Sequence, residues 1–248
     1  MGPSSEHIRS HAARVWLFRA RAEAIAAARF HQLSRDLAAH GAPDTIIDMA
    51  RTAAEEETRH IALCMGLAEH LGAPPAPLPE VPHLPSPPPG NRSDITLLIQ
   101  LVATGCINET VSAAVLNHML RASPPGRVHD TIREILQDEV GHSRIGWAYL
   151  AHEAAKRDVR PLGSLLPRML GDAITAELFA GPLDQDPDAD AADLGTVPRA
   201  ARMALFATAV TDLIIPGLAQ HGIDTAPAMD WLDEQRASAA GPQVDGRV

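Results

Sequence analysis

Between Ala73 and Gly90 the chain reads APPAPLPEVPHLPSPPPG, nine prolines in eighteen residues. Proline has no amide hydrogen to give a helix interior and its ring clashes with the preceding turn, so this stretch is an extended connector. It is long enough to cross a helical bundle from end to end. Regular structure must therefore lie on either side of it. On the N-terminal side, apolar periodicity predicts a helix from about Ser5 to His40, stopped at Gly41. A second opens at Asp44 as N-cap and stops at Gly72. On the C-terminal side a third helix runs from about Ser93 to Arg121, the turn ASPPG follows, and a fourth runs from about Arg127 to Lys156. Two long hairpins joined by one long connection predict an all-α four-helix bundle over residues 1–156, with a crossover between helices 2 and 3.

Composition agrees. Apolar residues make up 46% of the chain and aromatics only 3%, so Ala, Leu, Val and Ile carry the core, as in packed helices rather than sheets. In residues 157–248, PLGSLLPRMLGDAITAELFA and PRAARMALFATAVTDLIIPGLAQHG read as further helices, the second bent or stopped near Pro216. They are expected to pack on the bundle within one compact domain. The loop DQDPDADAADLG between them lacks the glycine and the final glutamate of a calcium loop, and reads as solvated.

A formal charge of −10 argues against nucleic acid or an anionic membrane surface as partner, since no basic cluster offsets it. The chain shows no evident apolar run of transmembrane length and no signal-peptide pattern, which sets a cytoplasmic expectation. Cys64 and Cys106 lie in apolar helical stretches and read as small buried residues rather than a disulfide framework.

Three Glu-x-x-His pairs occur. Glu80 and His83 fall in the connector, where no helix brings them to one face, and are set aside as a chance match. Glu57-x-x-His60 and Glu139-x-x-His142 are mid-helix, where a spacing of three puts both side chains on one face within reach of one ion. Each belongs to the second helix of a hairpin, so a metal site requires a carboxylate at the same height on each partner helix. Glu109 and Glu139 both lie about fifteen residues from the Ser123–Pro125 turn, about 22 Å at the helical rise. Glu23 lies about nineteen residues before the first turn, within roughly one helical turn of the height of Glu57 and His60. Glu23 is the only acid between His7 and Asp36, and Glu109 the only acid between Asp94 and Asp130. A lone glutamate in such apolar sequence is costly to bury unless it is paired or binds metal.

One Glu, then Glu-x-x-His, then one Glu, then Glu-x-x-His on four successive long helices resembles the ferritin-like di-iron carboxylate superfamily. The resemblance covers about Ser5 to Lys156. It implies the metal ligands Glu23, Glu57, His60, Glu109, Glu139 and His142, two Fe ions with Mn or a mixed Fe/Mn pair as alternatives, and O2 as co-substrate. The spacing is also similar to that of the aldehyde-deformylating oxygenases. The extra histidine of the arylamine N-oxygenases is absent, with Ile135 in its place.

Such donors suit iron or manganese, and two ferrous ions could jointly reduce O2. The ligands have small neighbours: Ala20, Ala26 and Ala27 by Glu23, Ala53 and Ala54 by Glu57, Gly105, Ser112 and Ala113 by Glu109, and Gly146 after His142. These either open a pocket beside the metals or let helices approach closely. Cys64 and Cys106 are candidates for the pocket wall and Tyr149, on the face of His142, for a redox or gating residue, with plain packing the favoured reading for all three. Asp138 and Arg144, and Glu56 and Arg59, fit groups that orient the histidines or pair across helices. Asp212 is another isolated acid among apolar residues, without an assigned place.

Two functions follow as expectations. The first is an O2-activating di-iron oxygenase or oxidase acting on a small, largely apolar organic molecule, with the C-terminal helices over the site. An electron-donor protein and a homodimeric state are compatible with it. The second is a ferroxidase or iron-handling protein with no organic substrate. A bundle that keeps the ligands for structural metal is a third reading.

Overall fold

The computed structural model describes residues 3–86, 94–175 and 189–240. Among these the chain is helical, with no strand. Helices α1 (Pro3–Ala39) and α2 (Asp44–His70) form the first hairpin. Gly41 takes the turn with a φ of 66°, the left-handed region in which a missing Cβ avoids strain. Asp44 is the first helical residue rather than the cap. Pro43 precedes it, with its carbonyl accepting from the amides of Ile46 (2.9 Å) and Ile47 (3.2 Å). Asp44 thus acts by its charge near the positive helix end, without a capping hydrogen bond. Gly72, at φ 109°, closes α2 as expected, with the Ala73 amide donating to the Ala68 carbonyl at 3.0 Å.

The connector spans the length of α1. At one end Arg9 donates to the His70 carbonyl (2.8 Å); at the other, Arg35 donates to Leu84 (2.7 Å) and Gln32 to Pro85 (3.2 Å). Those tie points lie about 39 Å apart along the helix axis. The third long segment consequently restarts at the far end and runs alongside α2 in the same direction. Helix α5 (Arg127–Ala154) returns, its start fixed by Arg127 donating to the Gly66 carbonyl at 3.0 Å. The four long segments thus run up, down, down, up.

The third segment is not one α-helix. It consists of α3 (Asp94–Leu101), an eight-residue π-helical stretch (Val102–Glu109) and α4 (Thr110–Ala122). Such turns are rare, no proline announces this one, and its single glycine, Gly105, does not by itself specify a π turn. It is held from outside. A Cβ on Gly105 would lie 2.5 Å from the Gly146 amide nitrogen, and one on Gly146 would lie 2.6 Å from the Cys106 nitrogen and from the Leu101 carbonyl oxygen. The π-helical stretch and α5 therefore meet backbone to backbone. This corrects one expectation: Gly105 and Gly146 seat two helices and make no room for a substrate.

The C-terminal third packs on this core. A 3-10 turn (Arg160–Leu165) leads into α6 (Leu166–Thr175), which lies against the π-helical stretch. A second 3-10 segment (Ala189–Leu194) sits on α1 and α4. It is pinned where Trp16 donates its indole N–H to the Leu194 carbonyl at 2.9 Å. Helix α7 (Arg199–Ala209) packs on α4, then passes through a π turn (Val210–Ile214) into α8 (Ile215–Gln220), with Pro216 in its first turn. Helix α9 (Ala226–Ala240) ends the described chain. The helical reading of residues 176–180 and the start of the acidic loop lie outside the described residues. Asp212 is exposed and accepts from the Thr211 hydroxyl at 3.1 Å, away from any cavity.

The expectation that no run reaches transmembrane length needs correcting. Ile95–Ala122 and Arg199–Gln220 are long and apolar enough by composition, with hydropathies of 1.3 and 1.4. The first carries Glu109 and is largely buried inside the protein, which explains its apolar character without a bilayer.

The glycine contact makes a sharp prediction within one helix. Gly146→Ala should destabilise the protein by about 1–3 kcal/mol, because only backbone stands in the way of the new methyl. Gly141, one turn earlier in α5, has nothing within 4 Å of an added Cβ, and Gly141→Ala should stabilise by about 0.5–1 kcal/mol. Urea midpoints of the two variants should move in opposite directions.

Candidate metal centre

Six side chains from four helical segments converge at mid-height. Glu23 comes from α1, Glu57 and His60 from α2, Glu109 from the last residue of the π-helical stretch, and Glu139 and His142 from α5. All are buried: Glu57 and Glu139 are 1% and 2% exposed, and Glu23 and Glu109 7% each. Their donor atoms form two groups, each within 4.8 Å. One is Glu23, Glu57, His60 and Glu139; the other is Glu57, Glu109, Glu139 and His142. Glu57 and Glu139 belong to both. Either group could hold a metal ion, and all six residues read from the sequence take part.

The histidines are held from behind. His60 turns Nδ1 toward Glu57 Oε2 (3.2 Å) and Nε2 toward Asp138 Oδ2 (3.0 Å). His142 turns Nδ1 toward Glu57 Oε1 (3.0 Å) and Glu139 Oε2 (3.7 Å), and Nε2 toward Glu56 Oε2 (2.9 Å). The pattern is reciprocal, because the acid preceding each motif's glutamate backs the histidine of the other motif. An outer carboxylate that accepts from Nε2 fixes the tautomer that leaves Nδ1 free to coordinate. Arg59 pairs with Asp138 and, at 3.4 Å, with Glu134. The expected roles of Glu56, Arg59 and Asp138 are thus met, whereas Arg144 lies exposed on the surface. The Phe30 ring packs against His142, with centroids 5.4 Å apart.

Glu57 Oε1, Glu139 Oε2 and His142 Nδ1 are buried and have no hydrogen-bond partner among the described residues, although they crowd one another. Atoms so close but misaligned for hydrogen bonding could serve as the donor set of a cation, and carboxylate and imidazole suit divalent iron or manganese. Protonation tells the same story. Burial, then the charges of Glu57 and Glu139, push the Glu23 carboxyl well above its usual range; burial, Glu139 and Glu57 do the same to Glu109. Burial opposes charge on the others too, but pairing prevails. The neighbouring His142 and His60 imidazoles hold Glu57 down to about 2. The Glu57 carboxylate raises His60 to about 9, and those of Glu139 and Glu57 raise His142 to about 12. Without metal, the centre neutralises its carboxylates with protons.

A pocket enclosing about 900 Å³ of space, including its open mouth, reaches Glu23, Glu57, Glu109 and Glu139. Neither histidine lines it, so the carboxylate side of the centre faces the pocket and the imidazoles face the core. Its wall includes Phe18, Ala22, Ala26, Ser112, Val115 and Met119, and the C-terminal third adds Gly195, Val197 and Arg202. The small residues therefore divide: Ala26 and Ser112 open space, whereas Ala20, Ala27, Ala53 and Ala54 are packed in the core. Cys64 donates its thiol to Glu23 Oε1 at 3.8 Å. Burial pushes its thiol and that of Cys106 up; both cysteines are free. Tyr149 is buried with its ring 6.2 Å from that of His152, away from the pocket wall. Sequence reading missed Arg19, Asn108 and Phe30, and the doubled-acid form of the motifs, Glu56-Glu57-x-x-His60 and Asp138-Glu139-x-x-His142, was the legible sign of the reciprocal backing.

Compared with models of known protein families and with curated protein sequences, the chain matches none.

Loading should displace the protons of His60, His142, Glu23 and Glu109, so apparent affinity rises with pH as each is removed. Adding Mn(II) to weakly buffered apoprotein should acidify the solution, and calorimetric affinity should keep increasing with pH, less steeply above about 9, where His60 has lost its proton and His142, held to about 12, has not. Glu56→Ala should weaken metal binding by about 10–100-fold by releasing the His142 ring, read by competition with a chromogenic chelator.

Proposed function

We propose that this chain is a ferritin-like, non-haem di-iron oxygenase or oxidase that activates O2 against a small, largely apolar organic substrate. The observation that carries this reading is the pair of donor groups with Glu57 and Glu139 in common. Two carboxylates shared between two otherwise separate sets are what hold a pair of ions about 3.5–4 Å apart. The up, down, down, up order of the long helices, with one crossover, fits the same superfamily.

Two ferrous ions held in this donor set would supply electrons for reducing O2; manganese or a mixed pair would fit the same residues. In this reading Glu57 and Glu139 would serve both ions, with Glu23 and His60 completing one donor group and Glu109 and His142 the other. Asp138 and Glu56 hold each imidazole in register from behind. The pocket is lined by the four glutamates and by neither histidine, so a molecule entering it would meet the carboxylate side of the centre. Val15, Phe18, Val115 and Val197 give it an apolar wall against which an organic substrate would lie. The pocket, closed on one side by Gly195, Val197 and Arg202, favours an organic substrate over iron storage, which needs no such cavity. An electron-donor protein, a cytoplasmic setting and a homodimer belong to the same proposal.

Anaerobic ferrous loading should give about two irons per chain, and admission of O2 should then produce rapid uptake on an oxygen electrode. Glu109→Ala should lose O2 uptake and bound metal together; unchanged uptake in that variant would sink the proposal. Continued mineralisation to many irons per chain in a shell-sized particle, seen by size exclusion, would instead favour the ferroxidase reading.

A further inference from the structure

Taking the pocket as the substrate site of this two-metal centre, we propose that the substrate is an amphipathic organic anion, with an apolar body and one acidic head group, and that Arg19 binds the head group. Three arginines, Arg19, Arg29 and Arg202, stand in the pocket wall. Four glutamates at the pocket floor appear at first to account for them. Two divalent ions, however, bring four positive charges against those four carboxylates, with the histidines neutral as ligands. The loaded centre is then balanced by itself. Asp138 and Glu56 face the outer imidazole nitrogens and not the pocket. The charge of Arg19 is left for whatever enters.

Arg19 is built for such a role. Its guanidinium lies over the Trp16 ring, 5.5 Å from the centroid, and that ring is fixed by the indole bond to Leu194. Its Nη1 donates only to the Met119 sulfur at 3.7 Å, a weak acceptor, and its buried Nε has no hydrogen-bond partner among the described residues. A guanidinium lying over an aromatic face with its Nε donor unsatisfied is preorganised for a planar or tetrahedral oxyanion. Arg29 stands about 15 Å away along α1, beyond Glu23 and Ala26, and also borders a smaller cavity beside α6. Arg202 has partners of its own. A head group on Arg19 sits one helical turn, about 6 Å, from Glu23. The carbon presented to the metals is then only a few bonds from the acid group, with the chain lying along Val15, Phe18 and Val115.

The test uses the full chain loaded with Mn(II), with metal content measured in every sample. Calorimetric titrations compare octanoate, octyl phosphate, octanol and octylamine. At least one anion should bind about tenfold or more tighter than octanol, octylamine should bind no better than octanol, and the better anion identifies the head group. Arg19→Gln should reduce anion binding to the octanol level with metal content unchanged. Arg19→Lys should restore part of it, and Arg29→Gln should change it less. Octanol binding as tightly as both anions overturns the inference. So does an anion preference that survives Arg19→Gln, since it assigns the anion to the metal ions themselves. Should Arg19→Gln misfold, seen as lost metal and a lowered Tm, Arg19→Lys takes its place: a partial loss of anion binding there supports the inference, and unchanged anion binding assigns the anion to the metal ions and overturns it. A chain that takes up no divalent ion fails at the metal measurement and sinks the two-metal reading with it. One that takes up metal and ignores anions sinks only the assignment of Arg19.

Discussion

Burying four glutamates and two histidines at one level of a helical core is the constraint on which the rest of this structure depends. Each ionised group alone in an apolar interior would be prohibitively costly. The six offset one another's cost by meeting, with protons or with metal ions between them. Meeting requires that four segments from different parts of the chain reach the same height. The length of α1 and α2, the matched arms of the second hairpin and the full-length crossover are the geometry that satisfies this. Asp138 and Glu56 extend the arrangement outward, so that the polar cluster reaches solvent-exposed cations such as Arg59 through hydrogen-bonded steps.

The small residues around the centre resolve into two physical roles. Gly105 and Gly146 allow the π-helical stretch and α5 to touch through their backbones, which fixes the segment that ends on Glu109. Ala22, Ala26 and Ser112 leave space on the other side, where the glutamates rather than the histidines face a pocket. The same centre is thus tightly packed behind its imidazoles and open before its carboxylates. The C-terminal third completes the open side, pinned to α1 at Trp16 and contributing pocket wall beside Arg19.

Much of this was legible in the chain. Proline placed the crossover, glycine placed the turns, and two isolated glutamates in apolar sequence marked the ligands that complete the Glu-x-x-His pairs. The helix bounds agree to within a few residues because periodicity and stop signals are local. The π-helical stretch was not legible, since a lone glycine such as Gly105 does not specify it and the facing backbone of α5 lies far away in the sequence. Asp44 has a residue type that suits a cap, yet Pro43 holds the cap position before it. The assignment of Gly146 to a pocket failed for a related reason: a missing side chain reads the same whether a ligand or another helix takes the space.

The sequence by itself determined which side chains meet in the buried cluster, because a buried carboxylate or imidazole needs a partner and the spacing of such residues on a helix is set by its pitch. Only the tertiary structure decided which of them are shared between the two donor groups, which side faces the pocket, and that Arg19 stands there with donors to spare. Those depend on distances between helices. Such distances are set by the contacts of residues far apart in the chain, as when Gly105 meets Gly146 or Trp16 holds Leu194.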